Sequence, residues 1–124
     1  LLSRRQRQMC IRDRVRVDSA KVAVVKGPLV YCVEEADNGE NLSSVMVNTD
    51  QKIEETYDDE LLEGCSVLHI TGKKISEKGW NEGILYQNRK VELEDVKLTL
   101  VPYCYWGNRE NGEMLVWMKE LFYM

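Results

Sequence analysis

"KVAVVKGPLVYCVEE" occupies residues 21–35, and its reading decides the fold. Lys21 to Val25 is short, β-branched and alternating, the pattern of a strand. Gly27-Pro28 breaks the run, since proline donates no ladder hydrogen bond and glycine tolerates turn backbone. Leu29 to Glu35 reads as a second strand. Leu29, Tyr31, Val33 and Glu35 share one face, and Val30, Cys32 and Glu34 share the other. Apolar residues on both faces predict a strand covered on two sides at its start and exposed at its acidic end. Glu34 and Glu35 point to opposite faces, so they cannot flank one scissile bond.

The same punctuation continues along the chain. "ADNGEN" (36–41) is a turn cluster, with Asn38-Gly39 suited to positive φ. "LSSVMVN" (42–48) reads as a strand. "DQKIEETYDDELLEG" (50–64) stays open between a short acidic helix ending at Gly64 and a strand followed by a turn. "CSVLHIT" (65–71) alternates, "GKKISEKGWNEG" (72–83) is a polar connection, and "ILYQ" (84–87) is a short strand candidate. "VELEDVKLTLVPYCYW" (91–106) is the longest extended run, although Pro102 requires an edge or a bulge there. "EMLVWMKELF" (113–122) closes the set, and "GNRENG" (107–112) joins the last two runs as an expected hairpin. Seven or eight short strands at this spacing, with little helical periodicity, predict an all-β fold, an antiparallel β-sandwich of jelly-roll type.

Charge and length restrict the partners. With 124 residues the chain supports one domain and one core. No stretch approaches the roughly 18 consecutive apolar residues of a membrane-spanning helix, and no membrane partner is expected. Residues 1–14, "LLSRRQRQMCIRDR", stand apart with five arginines and one aspartate. "RQRQMCIRDR" resembles translated sequencing-adapter read-through, so the arm is expected to be a non-native leader and residues 15–124 the domain. Without it, 12 basic and 20 acidic residues remain, a net charge of −8. Such a surface repels phosphate backbones, and no nucleic-acid partner is expected.

Cys10, Cys32, Cys65 and Cys104 are far apart, and none forms a C-x-x-C pair. Metal and redox sites use short spacings. The cysteines therefore read as reduced thiols, with Cys32 and Cys104 inside apolar strand patterns. This fits a reducing compartment, the cytoplasm, better than a secreted setting. A zinc site built from Cys32, Cys65, Cys104 and His69 is set aside, and no metal ligand or cofactor is assigned to these residues. His69 lies in an alternating strand and reads as structural. Asp58, Asp59 and Glu60 form an acidic run, read as a solvated surface.

"VPYCYWGNRENGEMLVWMKE" (101–120) raises the question of a site. As a strand it places Val101, Tyr103 and Tyr105 on one face and Pro102, Cys104 and Trp106 on the other, unless Pro102 marks a bulge. The aromatics read first as core area paired across the hairpin. The alternative is a carbohydrate-binding module in which Tyr103, Tyr105 and Trp106 stack on sugar, with Asn108 and Arg109 in the adjoining loop. Arg109 and Glu113 flank the turn as a candidate ion pair.

Two stretches, 21–44 and 98–118, resemble the C-terminal part of glycoside hydrolase family 127, the β-L-arabinofuranosidase-like family. The first block matches at Val22, Ala23, Gly27, Pro28, Leu29, Val30, Tyr31, Cys32, Glu34, Asp37 and Asn38. The second matches at Pro102, Tyr103, Trp106, Asn108, Arg109, Gly112, Glu113, Met114, Val116 and Trp117. "YDDELLEG" (57–64) between them also fits. Lys26, Cys104, Tyr105, Gly107, Glu110 and Asn111 depart from the pattern, mostly in the loop.

The resemblance implies a fragment of a larger glycosidase, in which an (α/α)6 barrel precedes β-sandwich domains. The barrel would hydrolyse terminal β-L-arabinofuranosyl groups with retention. Its nucleophile would be a zinc-held cysteine thiolate, with a glutamate as acid/base. A metal keeps such a thiolate deprotonated. None of those residues maps onto this chain, so no catalytic residue is assigned here and zinc is expected only in the full-length enzyme. The expected partners are the chain's own catalytic barrel and, through it, arabinose-containing glycans of plant type. A retaining carboxylate pair needs oxygens about 5 Å apart across a cleft, and no spacing here demands one.

Overall fold

The computed structural model describes residues 8–12, 15–59, 64–78, 83, 85–88, 90–105 and 111–121. Among them, nine strands form one mixed, mostly antiparallel sheet: β1 (Gln8–Ile11), β2 (Lys21–Lys26), β3 (Leu29–Glu34), β4 (Val45–Val47), β5 (Glu54–Asp58), β6 (Cys65–Ile75), β7 (Leu93–Pro102), β8 (Met114–Leu115) and β9 (Met118–Glu120). A single helical turn, α1 (Glu35–Asn38), follows β3 directly.

β2 and β3 pair as a hairpin through Val25↔Val30 and Lys26↔Leu29. Gly27, at φ 57°, takes the first central position of this two-residue connection, where a primed turn favours glycine, and Pro28 takes the second. β6 is the long central strand. It pairs with β7 from Leu68↔Leu100 to Ile75↔Leu93. Its other edge is shared by β5, from Glu54↔His69 to Asp58↔Cys65, and β4, from Val45↔Lys74 to Val47↔Gly72. β4 pairs in parallel with β9, β9 pairs with β2, and β3 pairs with β7. The pairings β2-β9-β4-β6-β7-β3-β2 therefore close on themselves. The sandwich layers are continuous at their edges, which leaves fewer open strand edges.

All six strands of this cycle send alternate residues into one core. Val22, Val24, Tyr31, Val33, Val45, Val47, Leu68, Ile70, Leu98, Leu100 and Met118 are at most 5% exposed, and Leu42 joins them from a 3-10 turn at Leu42–Ser44. Burying each large aliphatic side chain contributes about 1.5–3 kcal/mol. The Tyr31 hydroxyl donates to the Ser66 carbonyl at 3.1 Å, so the core carries its one tyrosine with the polar tip satisfied.

Several details differ from the sequence expectation. β3 is exposed at its start, at Val30, and buried at its acidic end, where Glu34 is 5% exposed. The reason is pairing: Val33 has β7 on one edge and β8 on the other, while Val30 sits at the hairpin tip. The expected hairpin between 91–106 and 113–122 does not form. β3 lies between β7 and β8, and the chain leaves β7 after Pro102 in a 3-10 turn, Tyr103–Tyr105. The 113–122 run splits into β8 and β9, which pair with different strands. Within the 50–64 stretch Glu54–Asp58 form strand β5, residues 60–63 lie outside the described residues, and Gly72–Ile75 extend β6 instead of starting a connection. Residues 85–88 are not in a strand.

Gly72 is required by a close approach. A Cβ there would lie 2.2 Å from the Met46 carbonyl oxygen, so glycine lets β4 pack tightly against β6. β1 pairs with Ala23–Lys26, so part of the stretch expected to stand apart lies in the sheet. Arg12, just after it, makes a two-pronged ion pair with the carboxylate of Glu120, with one contact at 3.0 Å.

Candidate functional site

The aromatic stretch does not form a flat strand face. Tyr103, Cys104 and Tyr105 lie on a 3-10 turn, where successive side chains are about 120° apart. Tyr103 and Tyr105 therefore leave the backbone in different directions and do not share the face expected for a strand. Tyr103 is 45% exposed and Tyr105 half-buried. Trp106, Asn108 and Arg109 lie outside the described residues, and with Arg109 the candidate pair to Glu113.

Three of the family-like residues, Asn38, Gly112 and Glu113, belong instead to polar contacts around α1. Asn38, at the end of α1, donates through Nδ2 to the Thr99 carbonyl at 2.9 Å and to the Glu34 carbonyl at 2.9 Å. Its Oδ1 accepts from the Thr99 amide at 2.7 Å. β3 stops pairing with β7 at Val33↔Leu100, one residue short of Thr99, and the Asn38 carboxamide takes over both ladder bonds there. Glu113 works the same way on the other side. Its Oε2 accepts from the Leu42 amide at 2.7 Å, its carbonyl accepts from the Glu35 amide at 2.9 Å, and its own amide donates to Glu35 Oε2 at 3.0 Å. Gly112 presses against Glu35, and a Cβ there would meet Glu35 Oε2 at 2.2 Å and Glu35 Cβ at 2.9 Å. Sequence reasoning assigned Asn38 to a turn and Glu113 to an ion pair. An amide four residues after a strand end is the usable signal, since Asn side chains mimic backbone pairing.

His69 sits on the outer surface of β6, its Nε2 3.0 Å from Thr56 Oγ1 and its Nδ1 3.5 Å from Thr99 Oγ1. It bridges three strands. Cys32 and Cys65 are buried, Cys10 is half-buried and Cys104 is exposed. Among the described residues no three His, Cys, Asp or Glu side chains come together as a metal site requires. No helix of the described residues is long and apolar enough to cross a membrane.

Two open grooves score the surface. One, of about 550 Å³, runs past Asn48, Thr71, Lys73, Asp95 and Lys97; the other, of about 610 Å³, past Asn41, Lys74, Glu77 and Glu94. Neither is lined by an aromatic ring, and several of their lysines are paired with carboxylates. Lys73 pairs with Asp95 at 2.7 Å, and Lys97 pairs with Glu54 at 2.9 Å. Such exposed pairs contribute little and do not make a catalytic pair.

Titration is perturbed at structural positions. The Arg12 hydrogen bond, assisted by Thr49, holds the Glu120 carboxyl below the usual carboxylate range against the opposing effect of burial. Burial pushes the Tyr31 hydroxyl up to about 12, with nearby Glu55 adding to it. Burial also raises the Cys10 thiol, with Glu120 reinforcing the shift. A thiol held protonated is a poor nucleophile.

Known proteins match this arrangement closely. The model of the glycoside hydrolase family 127 C-terminal domain matches residues 6–119. A non-reducing end β-L-arabinofuranosidase of Bifidobacterium longum subsp. longum is 33% identical over 114 residues, covering 86% of this chain and 17% of that protein. A crystal structure of a GH127 β-L-arabinofuranosidase from Geobacillus stearothermophilus T6 superposes with a TM-score of 0.88 at 36% identity, covering 94% of this chain and 18% of that one. A second GH127 β-arabinofuranosidase superposes at 0.79 with 31% identity, covering 93% of this chain and 17% of that one. The chain thus spans under a fifth of the length of these relatives. With its two motifs placed on a closed β-sandwich, this chain belongs to the C-terminal domain family of glycoside hydrolase family 127.

Proposed function

We propose that this domain is the non-catalytic C-terminal β-sandwich of a β-L-arabinofuranosidase-like glycoside hydrolase. It supports a separate barrel domain that hydrolyses terminal β-L-arabinofuranosyl groups of arabinose-containing glycans. One observation carries the reading: the polar motif residues Asn38 and Glu113 are spent on backbone groups of the domain itself. The zinc and the thiolate nucleophile belong to the barrel in this reading.

Exposed apolar side chains support an interface role. Val30, Tyr57, Leu85, Tyr86, Val91 and Tyr103 are each at least 38% exposed, as expected of surface covered by a neighbouring domain. The test is to incubate the purified polypeptide, with and without added zinc, with an aryl β-L-arabinofuranoside. No hydrolysis is expected; turnover proportional to polypeptide concentration overturns the proposal.

The exposure of Tyr103 favours one second reading, sugar stacking. Titrating arabino-oligosaccharides to millimolar concentration against tryptophan fluorescence separates the two. A saturable change supports stacking, and a flat response removes it.

A further inference from the structure

The chain carries two Asn-Gly pairs, Asn38-Gly39 and Asn111-Gly112, and the structure treats them differently. We infer that Asn111 is a site of spontaneous covalent modification, deamidation through a cyclic succinimide, from which Asn38 is protected by the fold. In this reaction the backbone nitrogen of the following residue attacks the asparagine Cγ. The C–N bond to the side-chain amide breaks and ammonia leaves. Water then opens the five-membered imide at either carbonyl, giving aspartate or isoaspartate. Glycine in the following position offers no Cβ to obstruct the attack.

At Asn38 both reacting groups are engaged. The electrophile, its carboxamide, is held by hydrogen bonds to both backbone groups of Thr99 and to the Glu34 carbonyl. The nucleophile, the Gly39 amide, donates to the Glu35 carbonyl at 2.9 Å. Four bonds must open before the atoms can meet. Asn111 is exposed and lies outside any strand or helix, immediately before the Gly112 that packs on Glu35. Isoaspartate there adds a methylene to the backbone and a carboxylate beside Glu113 and Glu35. It therefore loosens the seating of Gly112 and the hold of Glu113 on the Leu42 amide.

The experiment ages the purified polypeptide at mildly alkaline pH, in buffer and in parallel in strong denaturant, and follows both peptides by mass spectrometry and enzymatic isoaspartate methylation. In buffer, Asn111 is expected to convert at least about tenfold faster than Asn38, because reaction at Asn38 waits on local opening. In denaturant the two rates converge. Asn111→Gln is expected to remove the methylation signal from the folded protein. Equal rates in buffer, conversion of Asn38 first, or a contrast that persists in denaturant each overturns the inference.

Discussion

The carboxamide of Asn38 is bound to both backbone groups of Thr99, accepting from its amide at 2.7 Å and donating to its carbonyl at 2.9 Å. It completes a ladder at the point where β3 turns away into α1. A side chain thus substitutes for one residue of strand, and the sheet continues past a bend that would otherwise leave Thr99 unpaired on that edge.

Replacing Asn38 by Asp tests this directly. Aspartate still accepts from the Thr99 amide but cannot donate to the Thr99 or Glu34 carbonyls when ionised. Two carbonyls lose their donor in a partly buried setting. A loss of about 2 kcal/mol is expected, measured by urea unfolding. Asn38→Ala should cost at least as much, because it also strips the acceptor from Thr99. An unchanged midpoint for both variants would show the pairing to be idle.

Gly112 and Gly72 give a graded pair of overpacking tests. At Gly112 an added methyl meets the Glu35 side chain, whose carboxylate end can swing away while its Cβ, at 2.9 Å, stays in place. At Gly72 it meets the Met46 carbonyl oxygen at 2.2 Å and the Val47 Cα at 3.2 Å, both in strand backbone. Gly112→Ala is expected to cost about 1–2 kcal/mol and Gly72→Ala about 3 kcal/mol or more. Adding Glu35→Ala should recover part of the first cost and none of the second. Thermal melts of the four variants decide it, and an equal cost at the two glycines would count against the packing account.

The legibility of the fold follows from what each residue pairs with. β2, β3 and β6 were readable because Val22/Val24, Tyr31/Val33 and Leu68/Ile70 repeat at the strand period and all reach the core. The stretch 101–120 resists a local reading because sequence proximity suggests a hairpin. The fold instead inserts β3 between β7 and β8, a non-local pairing that no local pattern reports. β5 was ambiguous because Glu54, Glu55 and Asp58 carry no apolar face. The strand is held by the edge of β6 and by lysines, Lys97 on Glu54 and Lys26 on Glu55, that lie far away in sequence. The roles of Asn38 and Glu113 were hidden for the same reason. Their partners, Thr99 and Leu42, are backbone atoms more than 60 residues away, at separations of 61 and 71.

Acid should weaken the domain through Glu120. Its pKa is depressed in the folded state below the ordinary value of 4.5 by the Arg12 hydrogen bond. A depressed carboxylate contributes stability that is complete above the unfolded pKa and lost as pH falls through the folded one. Chemical denaturation should therefore show stability declining as pH drops below about 4.5. Glu120→Gln is expected to lower stability near neutrality by about 1 kcal/mol and to flatten the acid limb. An acid limb identical in wild type and variant would assign the decline to other carboxylates.

Alkali acts through Tyr31. Tyr31 titrates near 12 when folded, against an ordinary value of 10.0, because its hydroxyl is buried and the nearby Glu55 carboxylate opposes a second negative charge. Here the folded state holds its proton more tightly than the unfolded chain. The contribution is complete below pH 10.0 and disappears as pH rises toward 12. About 1–2 kcal/mol should be lost across that window after allowing for solvent screening. Tyr31→Phe removes the ionisable group while keeping the ring in its place among Val33, Leu68 and Leu100. The variant should be less stable than wild type at neutral pH by about 1 kcal/mol, for the lost hydrogen bond. As pH approaches 12 the difference should shrink and then reverse, because only the wild type must bury a phenolate or pay to protonate it. Unfolding midpoints measured for both proteins at matched pH, with tyrosinate absorbance as an independent monitor, test the sign. If the gap widens with pH, the hydroxyl is not the group that titrates.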